Sequence, residues 1–218
     1  MKSEMKQLLA GVGEALAVAF VSAAMGFLVY TQVVSSDDPL RAIKENSPIE
    51  ILQVAFLVVS AALAAACAAR RKDEAGGYVL VSGLFVCMAV RECDAILDHV
   101  FHGAWLPAAL AAAIASVAVA AAKRGTVVPG LAAIVGDRRF GILATSLAIA
   151  FFYSRIFGMK RIWLHTYECI IGPEGADKLI RPIKNIAEEG LEALSYALTT
   201  HWAALSAFAP ARRRQETL

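Results

Sequence analysis

AGGYVLVSGLFVCMAVRECDAILDHVFH, residues 75–102, is the stretch that decides what kind of chain this is. Ala75 to Val90 is an uncharged run of sixteen residues, and Arg91, Glu92, Asp94, Asp98, His99 and His102 follow at once. A helix needs about 20 apolar residues to cross a hydrocarbon core about 30 Å thick. Sixteen fall short, so a span from Tyr78 to about His99 has to carry Arg91, Glu92 and Asp94 into the bilayer. An ionisable group there costs at least ~2.5–3.5 kcal/mol on insertion scales and marks a functional position. Positions 91, 94, 98 and 102 are spaced i, i+3, i+7 and i+11, which on a continuous helix places Arg91, Asp94, Asp98 and His102 on one face.

Composition agrees with a membrane assignment. Of the 218 residues, 58% are hydrophobic and only 18% charged, and the mean hydropathy is +0.59. A soluble domain carries nearer a quarter charged residues. The net charge of +2, with no basic stripe, gives no case for a nucleic-acid surface. Cys67, Cys87, Cys93 and Cys169 lack CxxC spacing, which argues against a zinc knuckle or a thioredoxin-like motif. Cys93 and Cys169 fall on the same expected side and are candidates for pairing.

Outward from the central stretch, the pattern gives an all-α fold: one polytopic membrane domain over residues 1–218, an integral bundle of about six transmembrane helices. The spans are about 8–33, 49–69, 78–99, 105–122, 140–157 and 187–208. The first is too long for a signal-peptide core and reads as a retained span. Its small residues Ala15, Ala19 and Ala23, with Ser22 and Gly26, suit close helix approach. Asp37-Asp38-Pro39 breaks it, and Ser47-Pro48 with Glu50 at capping-box spacing starts the second. The outer loop, 158–186, holds the apolar segment Ile162–Ile171, a stop at Gly172-Pro173, and an interfacial amphipathic helix with Leu179, Ile180, Ile183 and Ile186 on one side. Loop 125–137 is read as irregular.

Lys and Arg concentrate on one side of this topology. Twelve of them lie in the segments holding both termini, among them Arg70, Arg71, Lys123, Arg139 and Arg212, Arg213 and Arg214. The positive-inside rule makes that side cytoplasmic and suggests a bacterial inner membrane. The polar residues then gather toward the outer side as a basin. Its members are Glu50 and Gln53; Arg91, Glu92, Asp94, Asp98 and His102; Arg155; His165 and Glu168; and Glu188, Glu189 and Glu192.

Acids outnumber the arginines in this set, so some must be solvated, protonated or neutralised by a bound cation. Glu189, at the expected interface, reads as solvated. Arg91 is expected to reach a carboxylate on another helix, Glu192 or Glu50. The favoured function is binding or transport of an ion or small polar ligand, with Arg91, Glu50, Gln53, Asp98, Glu188 and His165 as binding residues. The alternative is a metal-dependent hydrolase acting on a lipid or peptide. In it Asp94, Glu192 and His102 are catalytic, and Asp94, Asp98 and Glu192 hold a divalent metal ion. No HExxH motif supports it. A purely structural or partner-binding bundle is the third reading. The expected partners are the lipid bilayer and a small-molecule or ion ligand.

Overall fold

In a computed structural model of the chain, Ser47 caps a helix that begins at Pro48. The Glu50 backbone N–H donates to Ser47 Oγ at 3.3 Å, and the Ile51 N–H donates to the Ser47 carbonyl. This satisfies donors that the first helical turn would otherwise leave open. The structure describes residues 2–36, 47–171 and 176–209; it is helical throughout, with no strand among the described residues. The breaks expected at Asp37-Asp38-Pro39 and Gly172-Pro173, and the arginines at 212–214, lie outside them.

The elements are α1 (Lys2–Val34), α2 (Pro48–Arg70), α3 (Ala75–Glu92), the single turn α4 (Asp94–Leu97), α5 (Trp105–Ala122), α6 (Val127–Val135), α7 (Phe140–Ala148), α8 (Ser154–Phe157), α9 (Lys160–Ile171) and α10 (Ala176–Phe208). A π turn, Ile149–Tyr153, joins α7 to α8 without a break. Five stretches are long and apolar enough to cross a membrane: Lys2–Val34, Pro48–Arg70, Lys72–Glu92, Trp105–Ala122 and Phe140–Phe157. They are consistent with an integral membrane protein.

Four expectations change. The helix of the central stretch stops at Glu92, so the face linking Arg91 to His102 is not continuous. Local bonds explain the stop: Asp94 Oδ1 accepts the Ala95 N–H at 2.6 Å, and Asp98 Oδ1 accepts the Gly103 N–H at 2.8 Å. Gly103 turns the chain at φ +81°, where a Cβ would be strained. Next, the amphipathic segment and the sixth expected span form one helix, α10, of 33 residues with Pro182 inside it. That helix falls short of the apolarity of the other five because Glu192, Ser195, Thr199, Thr200, His201 and Ser206 run along it. Thirdly, the 125–137 connection holds α6, and all four cysteines are free thiols. Lastly, the small residues Ala15, Ala19, Ala23 and Gly26 of α1 are exposed, and the one buried residue of that helix is Met25.

The chain divides into two compact units. One comprises Met1–Gln53 and Ile142–Thr199, the other Val54–Gly141 and Thr200–Leu218. In the second, α3 packs on α5 and α6. The crossing with α6 is set by glycine: a Cβ on Gly77 would lie 2.5 Å from the Gly130 carbonyl carbon. Small residues of this kind let two helix backbones touch. The same unit holds the end of α10. Arg71 Nη2 donates to the carbonyls of Ser206 (2.8 Å) and Ala209 (3.3 Å), Arg70 donates to Ala207, and Arg139 to Leu205 (3.3 Å). The last carbonyls of a helix lack intrahelical donors and carry partial negative charge, so guanidinium groups suit them. Tyr78 fixes Arg71 from the side, its hydroxyl 2.8 Å from Nη1 and its ring under the guanidinium at 5.3 Å. Phe85 meets Trp202 edge-on at 6.3 Å.

Candidate functional site

In the first unit the polar side chains meet around Arg155. The apolar helix that begins at Phe140 reaches it through the π turn Ile149–Tyr153, which inserts an extra residue and shifts the register of the turn beyond it. Ser154 and Arg155 come next. Arg155 Nη1 lies 3.1 Å from Glu188 Oε1, and Nη2 pairs with Glu192 Oε1. Glu188 and Glu192 are one turn apart on α10, so a forked guanidinium can hold both. Lys184, one turn earlier, donates to Glu188 Oε2 at 2.7 Å. Ser154 Oγ is 2.5 Å from the Ala150 carbonyl and 3.2 Å from Glu192 Oε1, and its one proton serves a single acceptor at a time.

Glu192 is only 2% exposed and Ser154 fully buried, so the acidic end of this ion pair is buried while the Arg155 side chain is 38% exposed. Gly158 makes the room: a Cβ there would fall 2.5 Å from the Glu188 carboxyl carbon. From α2, fully buried Gln53 reaches α10 at the neighbouring position, Glu189. Its Nε2 donates to the Glu189 carbonyl at 2.9 Å and to Glu189 Oε2 at 3.1 Å. Two acceptors on one side fix which end of the amide is nitrogen. The other end, Oε1, is buried without a hydrogen-bond partner.

Gln53, Glu188 and Glu192, all expected site residues, are thus gathered in one unit with Arg155. Glu50 lies one turn before Gln53, half-buried in the first turn of α2. Glu189, read from the sequence as solvated, instead accepts from Gln53. His165 is exposed on α9. Arg91, Asp94, Asp98 and His102 belong to the second unit and make local contacts there. Arg91 Nη1 pairs with its neighbour Glu92 at 2.5 Å, and it is Glu92 that is buried while Asp94 is exposed. Asp98 Oδ2 is 3.0 Å from Nδ1 of His102, whose side chain is fully exposed. Among the described residues, no three His, Cys, Asp or Glu side chains form a group that could hold a metal ion.

Sequence reasoning passed over Ser154 and Lys184 and did not count Arg155 among the ligand-binding groups. The i, i+4, i+8 spacing of Lys184, Glu188 and Glu192 was the available signal. Nothing in the sequence marks the π turn that aims Ser154. Compared with known proteins, the chain matches no family model, and no curated protein or solved structure is detectably similar to it.

Proposed function

We propose that the chain is a multi-pass membrane protein that binds or transports an ion or small polar ligand at the Arg155 cluster. The burial of Glu192 carries this reading. A carboxylate 2% exposed, on a helix facing an otherwise apolar one, is costly to keep and marks a functional position in membrane proteins. Gln53, Ser154, Arg155, Lys184, Glu188 and Glu189 supply both donors and acceptors around it. The test is equilibrium binding to the purified protein, using inorganic cations, inorganic anions, small carboxylates, amines and sugars. One class is expected to bind, and Glu192→Gln is expected to weaken it at least tenfold, about 1.4 kcal/mol. If no class binds, Arg155 and its acids serve only to fix helix packing, a role open to buried ion pairs. If one binds equally well to Glu192→Gln, the site lies elsewhere.

In this proposal the 187–208 part of α10 is the sixth crossing, its polar side turned inward, as the full burial of Ser195 and Thr199 supports. Both termini are cytoplasmic and the membrane is a bacterial inner membrane. Reporter fusions after Lys72, after Lys123 and at Leu218 are expected to report cytoplasm, and fusions near Asp38 and Gly175 the outside. A cytoplasmic signal at Gly175 would overturn this orientation and the outward-facing placement of the site.

A further inference from the structure

α6 is too short to cross a membrane. Its nine residues, Val127–Val135, make a helix about 14 Å long, less than half of a hydrocarbon core about 30 Å thick. α5 ends just before it at Ala122, and the apolar helix from Phe140 begins just after it. Both neighbours are long and apolar enough to span. Contacts with the start of α3 fix its seat: the Gly76 N–H donates to Thr126 Oγ1 at 2.8 Å, and Gly77 leaves no room for a Cβ against the Gly130 backbone. A short helix between two span ends, pinned to the end of a third, belongs where hydrocarbon gives way to water.

The two sides of α6 differ. Gly130 and Ile134 are buried, whereas Val128 is 73% exposed, Leu131 38% and Val135 57%. Positions 128, 131 and 135 are spaced i, i+3 and i+7, so these three share one face. An apolar face alone would suit any apolar cover; the charge at the start of the helix chooses among them. The turn Lys72–Glu74 packs on α6 and on the turn Arg124–Thr126, which brings exposed Lys72, Lys123 and Arg124 to that end. The acids of these two turns are Asp73, also exposed, and Glu74, which pairs with Arg71 at 3.5 Å. Three exposed cations against one exposed acid complement an anionic surface, and the apolar side chains beside them complement acyl chains.

We propose that α6, with Lys72, Lys123 and Arg124, is a binding surface for anionic phospholipid. The cations hold headgroup phosphate while Val128, Leu131 and Val135 enter the acyl region. In the orientation proposed above, the surface meets the cytoplasmic leaflet, which carries anionic lipid. It belongs to the second unit and the Arg155 cluster to the first, so either can fail alone. The full chain, purified in detergent, is titrated with phosphatidylglycerol, with phosphatidylcholine, or with glycerophosphoglycerol, the headgroup without its chains. Bound molecules are counted by native mass spectrometry. Phosphatidylglycerol is expected to bind roughly tenfold tighter than either of the others. Lys123→Gln with Arg124→Gln, at exposed positions, is expected to weaken it about fivefold for each cation lost. Val128→Asp is expected to weaken it as well. Lys2→Gln with Lys6→Gln, exposed on α1, removes equal charge and is expected to leave the affinity unchanged. Equal affinity for the two phospholipids would overturn the proposal, as would unchanged affinity in the Lys123–Arg124 variant or in Val128→Asp. Equal losses in the two charge variants would overturn it too, because basic charge anywhere on the chain would then suffice. Glycerophosphoglycerol binding as tightly as phosphatidylglycerol would overturn lipid as the occupant and leave a soluble phosphate in its place.

Discussion

Arg155→Met is expected to destabilise the protein by about 1–3 kcal/mol, less than the full cost of breaking a buried ion pair because the Arg155 side chain is 38% exposed. The cause is the charge left behind. Glu188 and Glu192 would keep their places on α10, the latter 2% exposed, without the guanidinium that now bridges them. Replacing both sides should cost far less, because an apolar pair of similar volume needs no desolvated charge. Arg155→Met with Glu192→Leu is therefore expected to recover most of the loss, since Lys184 still holds Glu188. Denaturant unfolding in mixed micelles measures both variants. Equal destabilisation of the single and double variants would show that Arg155 acts through something other than Glu192. The double variant should also lose all ligand response, which separates its stability from its function.

Gly77→Val is expected to cost at least the upper end of the ~1–3 kcal/mol typical of overpacking, and it can prevent folding of the second unit. Ordinary overpacking is relieved when a side chain swings away. Here the first atom met is backbone, the Gly130 carbonyl carbon at 2.5 Å, so α3 and α6 themselves would have to separate. Gly26→Val is the control. A Cβ at Gly26 meets nothing within 4 Å, and a change of no more than about 0.5 kcal/mol is expected. Should the two variants melt alike, the glycine crossing of α3 and α6 is not what holds them together.

The features legible in the sequence were those set by near neighbours. Ser47, Pro48 and Glu50 define a helix start within four residues, and the structure places them so. The apolar lengths of α1, α2, α5 and the helix from Phe140 could be read by counting. The end of α3 could not, because counting apolar residues forward from Ala75 ignored the turn at Lys72–Glu74 that lengthens the stretch at its other end. Asp94 and Asp98 then bond to their own backbone neighbourhood, a competition that spacing arithmetic does not include. The division of 176–208 into a surface helix and a span followed a change in polarity, yet a helix passes through such a change without breaking. Of the site, Gln53, Glu188 and Glu192 were legible as polar residues in apolar surroundings. Their meeting with Ser154 and Arg155 was not, since it depends on a π turn and on which face of α10 turns toward it.

The arginines at the end of α10 bear on the order in which the protein is made. Arg71 precedes Ser206 by 135 residues and Arg139 precedes Leu205 by 66. At the usual pace of synthesis, Arg71 waits on the order of ten seconds for the carbonyl it will hold. Until then its charge has to be met by water or by other polar groups. Arrival of the end of α10 supplies the backbone carbonyls and draws Arg71, 11% exposed in the finished fold, into the protein. A chain halted before Leu205 would leave these guanidinium groups without the carbonyls they hold in the finished fold. The packing of Arg70, Arg71 and Arg139 against the end of α10 is thus among the late events of folding, since it waits until residues 205–209 have been made.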